Sequence, residues 1–254
     1  MISKNKISFI ASLHQKKFRK EHGLFIAEGE KVVRDLLQSD FKASELYATE
    51  KFYEGGFSKI KTKIEPEIIS ERELQKISAL TTPQQILAVA EIPQRSRDEI
   101  KVKGNLTLLL DDIQDPGNLG TIIRIADWFG IPNVMCSETS TDSYSPKVVQ
   151  SCMGSLFRVK VMYCDVEEML DTNHKSHKFP VYGSLLKGEN IYKTKLSHEG
   201  FIVIGNESKG IRGSLKKYIS TQLTIPSFSK TGTIDSLNAA MATAIICSEF
   251  RRRS

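Results

Sequence analysis

The chain has 254 residues, 40% hydrophobic and 26% charged, with 36 Lys and Arg against 30 Asp and Glu for a formal net charge of +6. This composition excludes a disordered tether, and apolar runs such as Leu108–Leu110 and Ala244–Cys247 fall far short of the ~18 residues that span a bilayer. The length suits one large domain or two modest ones, and the charge alone is only weak support for a polyanionic partner.

The first fourteen residues are interrupted by serines and lead into Lys16 and Lys17, so no secretion signal is expected. A small α/β domain is predicted over residues 1–98. It comprises a basic helix Lys4–Lys20, a strand Leu24–Ala27, a helix Lys31–Gln38, an apolar segment Leu46–Ala48, a helix Glu71–Leu80 and a strand Ile86–Ala90. His14, Lys16, Lys17, Arg19 and Lys20 crowd the end of the first helix, as a solvated face or as a phosphate-contacting patch. The polar stretch from Glu91, with Pro93, leads into a linker at 99–105.

From residue 106 to 254 short apolar runs alternate with helical periods, the pattern of a parallel sheet with crossover helices. Strands are predicted at Leu106–Leu110, Asn133–Cys136, Leu156–Tyr163, Val181–Leu186, Phe201–Gly205 and Leu223–Pro226. Helices are predicted at Asn118–Phe129, Pro146–Met153, Val166–Thr172, Ser214–Ile219 and Asp235–Arg252, the last rich in small residues and suited to a core or a dimer interface. Cys136, Cys152, Cys164 and Cys247 lack ligand spacing, so buried, reduced thiols in a cytoplasmic protein are expected, with no metal.

Several chemistries are excluded by inspection. The closest approach to a phosphate loop, Gly205–Gly210, is followed by Ile211 and Arg212 and lacks the gripping lysine. No dinucleotide fingerprint follows a strand, and no Gly-x-Ser-x-Gly elbow is present. His174 and His177 stand three apart without a nearby carboxylate or cysteine, which makes a metal role remote.

Three segments follow predicted strands, where α/β sheets carry their ligand sites. The first runs from Asp111 through Asn118, a candidate helix cap, to Arg124; the isoleucines around Arg124 set a cation in an apolar neighbourhood, which calls for an anionic partner or a task. The second, Gly205-Asn206-Glu207 to Gly210, offers backbone N–H groups and one carboxylate. The third runs from Ile225-Pro226 through Gly232 to Ser236-Leu237-Asn238. Each taken singly is an ordinary turn or cap.

In this order the set Asn118-x-Gly120-x-x-x-Arg124-x-Ala126, Gly205-x-Glu207-x-x-Gly210 and Ile225-Pro226 with Ser236-Leu237-Asn238 resembles the three motifs of the SpoU (TrmH-type) RNA 2′-O-ribose methyltransferases of the SPOUT superfamily. Ser145 to Val159 is similar to a further family segment, and Lys17–Arg19, Leu24–Glu30 and Thr82–Val89 are similar to the family's ribosomal-protein-like substrate-binding domain. The chain departs from the family in the five residues between Pro226 and Gly232, and in Ala240 where serine is common.

The resemblance implies a parallel-sheet α/β domain with a deep trefoil knot behind the smaller N-terminal domain. It implies S-adenosylmethionine as cofactor, held by Gly205, Asn206, Ile225, Pro226 and Leu237, and methyl transfer to a ribose hydroxyl by Arg124, Asn118, Glu207, Ser236 and Asn238. It further implies RNA recognition through Lys17 and Arg19, and a homodimer built on the final helix. Ribosomal 23S RNA is the favoured substrate, with transfer RNA as the alternative. A non-catalytic RNA-binding relative would have lost one of Asn118, Arg124, Glu207 or Asn238, and all four are present. A guanidinium stays protonated, so Arg124 is expected to act by fixed charge rather than as a base.

Overall fold

The computed structural model describes residues 2–57, 60, 62–229 and 236–252. In chain order the first elements are α1 (Lys4–Ser12), α2 (Lys16–His22), β1 (Leu24–Glu28), α3 (Glu30–Leu37), β2 (Ala43–Ala48), α4 (Glu50–Gly55), β3 (Glu67–Ile68), α5 (Glu71–Ile77) and β4 (Ile86–Glu91). Then follow β5 (Leu106–Leu110), α6 (Pro116–Trp128), β6 (Asn133–Ser137), α7 (Pro146–Ser151), β7 (Lys160–Cys164), α8 (Val166–Thr172), β8 (Val181–Asn190), β9 (Gly200–Ile204), α9 (Gly213–Lys216), β10 (Thr221–Thr224) and α10 (Ala239–Arg252). They form two compact units, one from the chain up to Gln94 with Asp142–Arg158, the other from Arg95–Thr141 and Val159 onward.

The first unit is a four-stranded sheet in the order β1-β4-β2-β3, with β4 antiparallel to both neighbours. One face receives Ile10 of α1, Leu13 just beyond it, and Leu74 and Ile77 of α5 against Ile26, Leu87 and Val89. On the other, Phe25 packs 5.0 Å from the Tyr144 ring, and Phe157 lies 5.2 Å from Phe41. Residues 142–158, which the sequence groups with the C-terminal domain, therefore pack in this unit through their aromatic side chains. The same burial corrects the predicted strand Leu156–Tyr163: Ser155–Phe157 is a tight helical turn, and pairing begins at Lys160.

The predicted helix Lys4–Lys20 is two helices. Its break places Leu13 wholly in the core, and the carbonyls of Leu13 and His14 are taken up by the Arg19 guanidinium at 2.7 and 2.8 Å. α4, capped by Thr49, and the two-residue β3 are not among the elements expected from the sequence.

The second unit is a parallel six-stranded sheet in the order β10-β8-β9-β5-β6-β7. β5, β6 and β9 are buried throughout, as expected of strands covered on both faces. One face packs Leu109, Met135, Phe201 and Val203 with Val166, Leu170 and Leu215 of α8 and α9. α6 buries Leu119, Ile122, Ile123 and Ala126, and α10, which packs along it, buries Ile246, Cys247 and Phe250. Arg251, in the last turn of α10, donates to the carbonyls of Phe129 and Gly130 that end α6, satisfying groups that a helix terminus leaves open.

The final helix starts at Ala239 rather than Asp235; Asn238 caps it by accepting from the N–H groups of Ala240 and Met241. Gly232 and the rest of Lys230–Asp235 lie outside the described residues. All four cysteines are buried and free, and burial pushes the thiols of Cys164 up to about 11 and of Cys247 up to about 12. No helix among the described residues is long and apolar enough to cross a membrane.

Candidate active site

Because the second sheet is parallel, β5, β9 and β10 all end on the same side, and the loops leaving them carry the three sequence segments. The chain adds β6 and β7 on one side of β5 and β8 to β10 on the other. The carboxyl ends near β5 and β9 therefore lie at a topological switch point, where such sheets open a ligand crevice.

The loop after β5 is built by its aspartates. Asp115, rather than Asn118, is the cap of α6: its Oδ1 accepts from the Asn118 N–H at 2.8 Å, with Pro116 in the first turn. This frees the Asn118 side chain, which donates from Nδ2 to Glu207 Oε1 at 2.8 Å. Asn238 Nδ2 in turn donates to Asn118 Oδ1 at 2.8 Å. Three side chains from three distant segments thus form one directed chain: Asn238 fixes Asn118, and Asn118 fixes the Glu207 carboxylate.

The loop after β9 is equally constrained. A side chain at Gly205 would place its Cβ 2.3 Å from the backbone of Gly210 and Ile211, so the turn closes only with glycine there. Asn206 exchanges both main-chain hydrogen bonds with Gly210. Its Nδ2 donates to the Asp112 carbonyl at 2.8 Å, and its Oδ1 accepts from the N–H groups of Ser208 and Lys209. The side chain of Asn206 is thus engaged within the protein and shapes the loop. Asp111 and Arg212, which sequence reasoning passed over, brace this loop from below: Asp111 accepts from the Arg212 N–H and from its Nε at 2.8 and 2.6 Å. The available signal was a carboxylate directly following the apolar run Leu108–Leu110.

Arg124 does not sit in an apolar neighbourhood. At 3.6 residues per turn Ile122, Ile123 and Ala126 point inward, while Arg124 faces outward and is exposed. It makes no hydrogen bond or ion pair among the described residues. Ser236 and Asn238 are exposed, Leu237 is 48% exposed, and Ile225 and Pro226 are half-buried.

In the first unit the two predicted RNA contacts part company. Lys17 is exposed, its ammonium 5.6 Å from the Phe18 ring. Arg19 is 3% exposed and its fork is consumed by Asp142 and by the carbonyls of Leu13 and His14. It is a structural ion pair, not part of an exposed basic patch.

Comparison with known proteins matches this arrangement. The family model for the SpoU rRNA Methylase family covers residues 105–248, and one for an MRM3-like substrate binding domain covers residues 4–88. A Bacillus subtilis protein named 23S rRNA (guanosine(2553)-2′-O)-methyltransferase is 32% identical over 240 residues, 94% of this chain and 93% of its own. A Porphyromonas gingivalis structure assigned to the TrmH family of RNA methyltransferases is 38% identical, with a TM-score of 0.87 and full coverage of both chains. A Sinorhizobium meliloti rRNA methyltransferase solved with bound AdoMet is 28% identical, with a TM-score of 0.86 over 100% of this chain and 97% of that one. With more than half of its length matched by the first model, the chain belongs to the SpoU rRNA methylase family.

Proposed function

We propose that this protein transfers the methyl group of S-adenosylmethionine to a ribose 2′-hydroxyl of ribosomal RNA. The observation that carries the reading is the hydrogen-bonded chain Asn238–Asn118–Glu207, which joins the three family motifs at the carboxyl ends of β5, β9 and β10. The relatives' names and the AdoMet-bound neighbour support it.

The residues present fit the cofactor. The glycine turn at Gly205, half-buried Ile225 and Pro226, and the half-exposed apolar Leu237 offer main-chain polar groups and apolar surface to an adenosine moiety; Asn206 contributes by shaping the turn. When bound, the cofactor supplies a methyl group already activated on a sulfonium, so the protein has chiefly to position and polarise a weak nucleophile. Arg124 supplies a permanent cation for the developing alkoxide and its adjoining phosphate. Asn118, locked from both sides, holds Glu207 in a single orientation, and Ser236 stands beside the Asn238 cap as a further hydroxyl donor.

The reading extends to assembly. Trp128 at the C-terminal end of α6 and Met241 in the first turn of α10 are 85% and 64% exposed, leaving apolar side chains on both of these packed helices. This supports a homodimer through these helices, in which Arg124 serves the cofactor of either subunit. The trefoil knot belongs to the same proposal: the chain leaves β10 at the sheet's edge and returns at Asn238, bonded to Asn118 beside the central β5. Lys17 supports RNA docking in the first unit, and four buried free thiols support a reducing cytoplasm.

The test uses purified protein, methyl-labelled S-adenosylmethionine, and 23S RNA and transfer RNA transcripts, digested to nucleosides. Label on ribose of the 23S transcript is expected. Label on bases only, or on transfer RNA only, would overturn the reaction or the substrate assignment respectively.

A further inference from the structure

Asp111 is a carboxylate with no exposure to solvent, and both its oxygens go to one residue: Oδ2 accepts the Arg212 main-chain N–H and Oδ1 its Nε. Burying a carboxylate this completely is expensive, and an apolar pair of similar volume would generally serve stability as well. What the pair secures is orientation. Asp111 engages Nε alone; Nη1 and Nη2 have no partner among the described residues, and the side chain remains 47% exposed.

A guanidinium carries five N–H donors, so four remain on a cation whose root is fixed to the buried end of β5. An ordinary surface arginine is mobile, and its ion pairs contribute little. This one has its orientation settled in advance, which lowers the cost of engaging a ligand. It stands two residues beyond Gly210, at the end of the turn that carries Glu207.

We propose that Arg212 is a phosphate-binding residue for the RNA substrate, engaging a non-bridging phosphodiester oxygen pair with its outward Nη edge. The inference rests on the RNA methyltransferase reading above. A planar fork matches the two oxygens of a phosphodiester. Half-exposure favours a macromolecular anion arriving from solvent over the single carboxylate of an enclosed cofactor.

The experiment compares Arg212→Gln and Arg212→Lys with wild type. It measures affinity for a 23S RNA transcript across a salt series, S-adenosylmethionine affinity by calorimetry, and label transfer to ribose in the same preparations. Glutamine keeps a donor toward Asp111 but removes the cation; lysine keeps the cation. With Arg212→Gln, RNA affinity should fall about tenfold, and the magnitude of its log–log salt slope by about 0.7–0.9. Arg212→Lys should keep the wild-type slope, and cofactor affinity should be unchanged in both. A wild-type salt slope in Arg212→Gln would overturn the proposal, as would a loss of cofactor affinity that assigned the arginine to the cofactor's carboxylate. Failure of wild type to label ribose would instead defeat the methyltransferase reading, which the binding series does not measure.

Discussion

Asn118 and Asn238, 120 residues apart, are joined by a single side-chain hydrogen bond of 2.8 Å, and the same Asn118 amide donates to Glu207. The carbonyl end of Asn118 thus faces a donor and its amino end an acceptor, a polarity that an amide satisfies and a carboxylate, which only accepts, does not. Asn118→Asp places a second carboxylate against Glu207. Single-turnover methylation should fall about 100-fold at pH 8 and recover in part toward pH 5.5, as the facing carboxyls come to share a proton. A flat loss across that range would show that the amide is needed for more than this contact.

Arg124 carries no competing ion pair among the described residues, so its charge is available to substrate. Arg124→Ala should lower turnover about 100-fold or more, and Arg124→Lys should retain part of the activity, with cofactor affinity kept in both. Near-wild-type turnover in the alanine variant would remove the residue from the mechanism.

Arg19→Ala leaves Asp142 Oδ2 and the carbonyls of Leu13 and His14 without the donors that Arg19 supplies. Removing one member of a buried pair costs about 3–5 kcal/mol, to be read by urea denaturation. Lys17→Ala should leave that stability unchanged and reduce the magnitude of the RNA salt slope by about 0.7–0.9.

Glu28 is 5% exposed, and burial raises its carboxyl above the usual 4.5 despite hydrogen bonds from Ser78 and the Ala79 N–H. With the folded-state value raised, the native state holds the proton more tightly than the unfolded chain. Its contribution is full below about pH 4.5 and is lost as pH rises through the folded value. The stability of Glu28→Gln relative to wild type should therefore improve as pH rises from 4 to 8, measured by denaturation at each pH. A pH-independent difference would contradict the shift.

Trp128→Glu replaces the exposed apolar side chain at the C-terminal end of α6 with a charge. Light scattering at micromolar concentration should show wild type as a dimer and the variant shifted toward monomer. A monomeric, active wild type would refute the assembly.

The strands of the second unit were legible because runs such as Leu106–Leu110, apolar except for Thr107, are nearly continuous, as doubly covered parallel strands are. The motif residues were legible by type and order. Their pairing was not: nothing local in Asn118 or Glu207 announces a contact across 89 residues. Arg19 and Lys17 look alike in a basic run, and only the break after α1, which turns one inward to Asp142, separates them. Arg124 was misread from sequence adjacency, where helical angle decides which neighbours share its face. Asp111 reads from sequence only as the start of a loop, and its burial as an anchor for Arg212 shows only in the fold.

The deep placement of Cys136, Cys152, Cys164 and Cys247 makes the wild-type chain a ready background for site-directed labelling. Their thiols are held protonated by burial, and maleimides react with thiolates. A single cysteine introduced for exposed Glu21, in the same helix as Lys17, should take up a fluorophore stoichiometrically without removal of any native cysteine. The dye would then report RNA arrival at the first unit in real time, independently of methyl transfer.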